Sequence, residues 1–223
     1  MHTLYHYPLC PLSRKVRVLL SDMCIDYKIV IQKFWVKDKK FQQLNPMLTV
    51  PFLVTSDENC LFGSQTIVEY FDEFREIGKR FISGDIANRA KIRKAMFCFD
   101  EKCYHEATKY ILRERVYKFF ESNSPPDLLI LNDAKVSLNY CLKYLSFLLQ
   151  KNDYITGAEL TMADLSIAAH ISSLDYLGEI PWHFYPVVKN WYSTLKSRPS
   201  FAGILSDSIP GFLPVKHYKV LDF

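Results

Sequence analysis

The stretch Leu4-Tyr5-His6-Tyr7-Pro8-Leu9-Cys10-Pro11-Leu12-Ser13-Arg14-Lys15-Val16 decides the fold class. Residues 3–7 read as a short strand, and Val16, Leu19, Leu20 and Met23 form a helical apolar stripe over 13–23. Proline suits the first helical position, where its missing N–H would be unpaired anyway. Cys10 is therefore expected at a helix N-terminus, where free N–H groups and the dipole favour an anion. A thiol there is biased toward thiolate, the form that attacks and exchanges. Arg14 and Lys15 add positive charge one turn away. Two readings stay open at this point. One is a thiol-chemistry or anion site; the other is a buried structural cysteine, since free cysteine is among the most buried residue types.

Working outward, residues 27–32 are β-branched and read as a second strand, completing a strand–helix–strand opening. Residues 37–44 form a short polar helix or turn, 50–54 a third strand and 59–62 a fourth. Ser64 reads as the N-cap of a helix carrying Ile67, Val68, Tyr70 and Phe71 and ending near Gly78. Residues 1–80 thus form a small mixed α/β unit. After Ser83-Gly84-Asp85 the texture becomes helical. Ile92, Met96, Phe99, Cys103 and Tyr110 mark one long amphipathic helix; Ala134, Leu138, Cys141, Leu142, Leu145 and Leu149 mark a second. Thr161-Met162-Ala163-Asp164 has the shape of a capping box before an almost wholly apolar, buried helix over 165–177. Residues 86–202 are expected to be all-helical, and 203–223 an extended tail without a period, either disordered or laid against a surface.

Composition narrows the function classes. The 223 residues are 49% hydrophobic and 23% charged, an ordinary globular balance with ample core. A net charge of +4 is small and dispersed, which argues against nucleic acid. The run Lys37-Asp38-Lys39-Lys40 reads as a solvated face. Six cysteines include no Cys-x-x-Cys and no zinc-like spacing with histidine, so no metal is expected. No signal-peptide pattern or membrane-spanning apolar run is present, so a cytoplasmic protein with its thiols free is the simplest expectation. His6, His105, His170 and His183 have no recognisable base–nucleophile partner, and His170 reads as a satisfied core histidine.

The motifs in their order resemble the glutathione transferase family over nearly the whole chain. Cys10-Pro11-x-x-Arg14-x-Val16 resembles the active-site segment of its cysteine-type, omega-like and bacterial members. Leu44-Asn45-Pro46 and Val50-Pro51 resemble the loop into the third strand, Ser64-x-x-Ile67-x-x-Tyr70 the helix that holds glutathione's carboxylate, Thr161-x-Ala163-Asp164 the family's capping box, and Arg198-Pro199-Ser200-Phe201 its usual helix ending. The resemblance implies a thioredoxin-like N-terminal domain, an all-helical C-terminal domain and a homodimer. It implies a cis Val50-Pro51 bond that offers the Val50 N–H and C=O to glutathione as co-substrate, Ser64 on the carboxylate, and Lys37 on the glycyl carboxylate. Cys10 would carry the chemistry, with Ser13 as an alternative hydroxyl, and Tyr104, Tyr110, Tyr117 and Phe120 would line a pocket for an electrophile or disulfide, or simply belong to the core.

Two places depart from the family. The residue before the serine usually meets glutathione's amine with an acid or amide, whereas here it is Gly63, with Gln65 the nearest substitute. Losing such a charged hydrogen bond costs about 1.5–3 kcal/mol, one to two decades of affinity. The ending Pro210-Gly211-Phe212-x-Pro214-x-x-His217-Tyr218-x-x-Leu221-Asp222-Phe223 resembles that of a bacterial transferase-like division protein that binds FtsZ. In it His217, Tyr218, Leu221, Asp222 and Phe223 suit a hydrophobic or basic pocket on a partner. Two functions follow. The leading one is glutathione conjugation or glutathione-dependent thiol transfer through Cys10. The alternative is a non-catalytic adaptor in bacterial cell division that binds FtsZ and has little affinity for glutathione.

Overall fold

The computed structural model describes residues 1–74 and 80–221. β1 (His2–His6), α1 (Pro11–Asp22) and β2 (Tyr27–Ile31) form a parallel β-α-β unit, followed by α2 (Lys39–Leu44), the antiparallel strands β3 (Phe52–Val54) and β4 (Cys60–Phe62), and α3 (Ser64–Phe74). The sheet order β2-β1-β3-β4, with β1 parallel to β2 and antiparallel to β3, is the thioredoxin-like arrangement. The predicted end of α3 near Gly78 lies outside the described residues. Ser64 is the first helical residue of α3 rather than its cap; Gly63 precedes it at φ +77°, and Gly63 O accepts from the Ile67 N–H.

The helical part opens with α4 (Ile86–Phe97), capped by Asp85. The chain then continues through π-helical turns at Cys98–Thr108, α5 (Lys109–Leu112), π-helical turns at Arg113–Tyr117 and α6 (Lys118–Ser122), ending at left-handed Asn123. Sequence spacing suggests one uniform amphipathic helix here. The wider π turns instead bury residues in steps of four, namely Phe99 and Asp100, Cys103, then Ala107 and Thr108. α7 (Leu128–Leu149) starts at Asp127, which accepts from the Leu129 and Ile130 N–H groups. α8 (Met162–Tyr176) is buried along its whole length, and α9 (Pro186–Lys196) and α10 (Ala202–Leu205) complete the set. The expected capping box is present, and the buried Asp164 carboxylate also accepts from Ile155 N–H and Trp191 Nε1. Cys103 and Cys141 are joined by a disulfide, not free as expected; packing of α7 on the π segment brings their Cα atoms to 6.1 Å. No helix among the described residues is long and apolar enough to cross a membrane.

α1 carries three buried cations, and their partners tie the two halves together. Arg14 donates to Pro8 O at 2.7 Å, to Ser172 Oγ of α8 at 2.9 Å and to the Tyr218 hydroxyl at 2.9 Å. Lys15 Nζ lies 2.5 Å from Asp100 Oδ2, and Asp100 also accepts from Ser166 at 2.7 Å and faces His170 Nε2 at 3.0 Å. His170 is thus a core histidine, as its apolar helix suggested, paired through Nε2, while its buried Nδ1 has no hydrogen-bond partner among the described residues. Arg17 holds Asp207 at 2.7 Å and the Gly203 carbonyl at 2.9 Å. The tail is thus laid against the helical part, the second of the two expected alternatives, with one short 3-10 turn at Lys216–Lys219. Tyr218 is fully buried and donates to Ile204 O, and the Val215 N–H bonds Tyr176 O. His217 Nε2 sits 2.9 Å from the buried Asp175, while Lys196 donates to His217 O.

Removing one partner of a buried, hydrogen-bonded ion set costs about 3–5 kcal/mol. Arg14→Met is therefore expected to lower unfolding free energy by that amount in urea titration, and Tyr218→Phe by about 1–3 kcal/mol. The same packing buries His6, and burial first, then repulsion from Arg17 and Arg14, holds its pKa down to about 3 from 6.5. The fold thus favours neutral His6; its contribution is complete above pH 6.5 and is lost as pH falls toward 3. Urea midpoints measured from pH 7 down to pH 4 should fall, and His6→Gln should flatten that fall.

Candidate functional site

Cys10 occupies the N-cap position of α1, with Pro11 opening the helix as the sequence requires. A tight turn sets the cap, the Cys10 N–H donating to Tyr7 O at 3.0 Å. The thiol points at the loop before β3, where Val50-Pro51 is cis as expected, and donates weakly to Val50 O at 3.9 Å. The Gly63 N–H bonds Pro51 O at 3.2 Å, which draws the start of α3 and Ser64 to the same corner. The structure therefore assembles Cys10, Val50, Pro51 and Ser64. The fully buried Ser13 lies against the thiol.

The chemistry of that corner differs from the expectation of a thiolate. The Cys10 residue is only 5% exposed, and burial pushes its thiol up. Ser13, the Leu12 and Ser13 N–H groups and Arg14 pull the other way, so the helix N-terminus acts as anticipated but is outweighed. Arg14 and Lys15 are committed to other partners and do not line the thiol's approach. Gln65 bridges Lys15 Nζ at 3.3 Å and Glu69 at 2.7 Å. It is tethered there and does not replace the acceptor that Gly63 lacks. Lys37 is exposed in the loop between β2 and α2, with no hydrogen bond or ion pair among the described residues.

An aromatic cluster that includes Tyr117 packs beside this corner. Trp35 stacks on Tyr117 with centroids 5.5 Å apart, meets Tyr7 edge-on at 4.9 Å and stacks on Phe120 at 6.0 Å; Phe120 in turn meets Phe212 of the tail. Phe34 packs on Tyr7 and Tyr117. Both Tyr104 and Tyr117 lie close enough to Cys10 for a thiolate to push their hydroxyls upward, after burial has done so. Of the anticipated pocket residues, Tyr117 and Phe120 join this cluster and Tyr110 faces solvent. The sequence reading did not single out Phe34 and Trp35. Two adjacent large aromatics directly after a strand were the available signal. Among the described residues no group of three or more His, Cys, Asp or Glu could hold a metal ion.

Residues 4–76 match the glutathione S-transferase N-terminal domain and residues 131–206 the glutathione S-transferase C-terminal domain. The chain belongs to the glutathione S-transferase family. FtsZ-localized protein A of Caulobacter vibrioides is 35% identical over 224 residues, covering 99% of this chain and 98% of that protein. A glutathione S-transferase structure from Sinorhizobium meliloti superposes with a TM-score of 0.96 at 38% identity, covering 100% of both chains. FzlA from C. crescentus superposes with a TM-score of 0.94 at 35% identity, covering 100% of this chain and 99% of that one. In this member of the glutathione S-transferase family, the corner formed by Cys10, cis Val50-Pro51 and Ser64 leaves the cysteine buried.

Iodoacetamide reads that burial directly. In the native protein at neutral pH the exposed Cys24 and Cys60 are expected to alkylate first, and Cys10 only after denaturation. Peptide mass spectrometry follows each site; prompt native labelling of Cys10 contradicts the assignment.

Proposed function

We propose that this chain is a transferase-fold adaptor that binds FtsZ in the cytoplasm and has little or no affinity for glutathione. The observation that carries the reading is the buried, upward-shifted Cys10 thiol beside Tyr117, in a corner with a glycine where an acceptor for glutathione's amine is needed. The end-to-end likeness to an FtsZ-localized protein supports it, because that likeness includes the tail.

Tail geometry redistributes the roles first read from its sequence. Tyr218 is an internal anchor and His217 is engaged by Asp175, so neither is offered as the main docking group. The partner-facing surface is Leu213, which is 81% exposed, together with Val220 and Leu221 and the flanking Lys216 and Lys219. Asp222 and Phe223 lie outside the described residues and extend this surface in sequence. The patch is apolar with a basic rim, suited to an apolar segment flanked by acids.

One feature favours glutathione conjugation or thiol transfer as the second reading. The cis Val50-Pro51 corner and the α3 N-terminus at Ser64 still stand side by side, the arrangement a short peptide with a carboxylate would use. In that reading the Cys10 thiolate, once exposed, attacks the glutathione sulfur of a glutathionylated disulfide, forming the Cys10–glutathione disulfide and releasing the other half as a thiol; a second glutathione then frees Cys10 as glutathione disulfide leaves.

Co-sedimentation with FtsZ polymers and calorimetric titration with glutathione separate the two. The adaptor reading expects the protein to pellet with FtsZ, and expects no heat with millimolar glutathione. Leu213→Asp with Leu221→Asp should weaken pelleting at least about tenfold, roughly 1.4 kcal/mol, while leaving the unfolding midpoint unchanged. A protein that binds glutathione and ignores FtsZ overturns the reading.

A further inference from the structure

α7 packs on the π-helical segment Cys98–Thr108, and three of the six cysteines lie on these two elements. Cys103 and Cys141 form the disulfide that joins them, and both are nearly sealed, 6% and 8% exposed. Cys98 is free and half-buried, five residues before Cys103. On an α-helix, five residues turn a side chain by about 140° and would send the two sulfurs to different faces. In π-helical turns the hydrogen bond runs from i to i+5, so residues five apart stack along the axis. The segment is wound that way from Cys98 onward, and Cys98 therefore stands one π turn behind Cys103. The α7 side places Cys98 in the same spot independently. Burial first, then the adjacent Cys98 sulfur, raises the Tyr144 hydroxyl, and Tyr144 lies one helical turn beyond Cys141. Cys98 thus borders the disulfide from both elements.

A disulfide is opened by a thiolate that reaches one of its sulfurs. Small thiols in solution have little access to Cys103 or Cys141, whereas Cys98 touches both solvent and the surroundings of the buried bond. The other free cysteines lie elsewhere: Cys10 caps α1, Cys24 follows it, and Cys60 is in β4.

We propose that Cys98, Cys103 and Cys141 form a thiol–disulfide exchange site, in which Cys98 relays the buried disulfide to small thiols in solution. The Cys98 thiolate attacks Cys103 Sγ, its neighbour one π turn on. The Cys98–Cys103 bond forms, the Cys103–Cys141 bond breaks, and Cys141 leaves as a thiolate that takes up a proton. A small thiolate then attacks Cys98 Sγ, making a mixed disulfide and freeing Cys103 as a thiolate, which is protonated in turn. A second small thiolate attacks the small-molecule sulfur of that mixed disulfide; the small disulfide leaves and Cys98 is restored. In sum, one protein disulfide and two small thiols become two protein thiols and one small disulfide. Run in reverse, the same steps close the bond at the expense of a small disulfide. The bond clamps α7 to the segment that carries Asp100, the partner of Lys15.

The test uses 2-mercaptoethanol as the small thiol and the full chain carrying Cys24→Ser and Cys60→Ser, so that no exposed thiol competes. Samples are quenched with N-ethylmaleimide and mapped by peptide mass spectrometry without reduction. Adding Cys98→Ser should slow opening of Cys103–Cys141 at least about tenfold, because the solution thiol must then reach a sealed sulfur. Circular dichroism checks that the variant is folded. In a separate variant, Cys141→Ser leaves Cys98 and Cys103 as thiols. Treated with 2-hydroxyethyl disulfide, it should form the Cys98–Cys103 bond and release two molecules of 2-mercaptoethanol. Equal opening rates with and without Cys98 overturn the proposal. So does a Cys141→Ser chain that forms no Cys98–Cys103 bond, and so does a chain with all three cysteines in which Cys103 and Cys141 stay thiols under 2-hydroxyethyl disulfide.

Discussion

The structure depends on the burial of Arg14, Lys15 and Arg17 along one helix. A cation removed from water must meet carboxylates and carbonyls in good geometry or it destabilises the fold. α1 cannot supply those partners, since it has no acid in its first turn. They come from Ser172 on α8, Asp100 in the π turn, and Asp207, Gly203 and Tyr218 in the C-terminal segment. Three cations on one helix therefore recruit three separate parts of the chain. The thioredoxin-like part, the helical part and the tail are held as one body by that requirement.

This arrangement also governs the cysteine. The positive charge expected to stabilise a Cys10 thiolate is directed at Asp100, Asp207 and Tyr218. What acts on the sulfur is the helix N-terminus, Ser13, the more distant Arg14 charge and a weak contact to Val50 O, with Tyr104 and Tyr117 nearby. Desolvation then decides the balance in favour of the neutral thiol. The fold keeps the corner of Cys10, cis Val50-Pro51 and Ser64, while its tail carries exposed Leu213, Val220 and Leu221 near Lys216 and Lys219. Function resides in such surfaces rather than in the fold itself.

Much of this was legible in the chain. The strand–Cys-Pro–helix opening, the Thr161–Asp164 capping box and the core role of His170 appear where local spacing put them, because each is set by neighbours a few residues away, and the cis Val50-Pro51 bond appears as the family resemblance implied. The misses are non-local. Tyr218 looked like part of a docking tail because nothing in its own segment reveals Arg14, 204 positions earlier, as its partner. The Cys103–Cys141 disulfide joins two helical segments across 38 positions; both cysteines lie on apolar stripes, but nothing in either segment reveals that the two stripes meet at these residues. The upward shift at Cys10 comes from burial by the folded chain, with Tyr104 and Tyr117 from the helical part nearby, which no motif around the cysteine reveals.

Hydrogen–deuterium exchange tests most directly whether the α1 cations join the three parts. Comparing wild type with Arg14→Met, the account predicts faster exchange together in α1, in the Ser172 region of α8 and in residues 204–219. Acceleration confined to α1, with the tail amides as slow as in wild type, would contradict it.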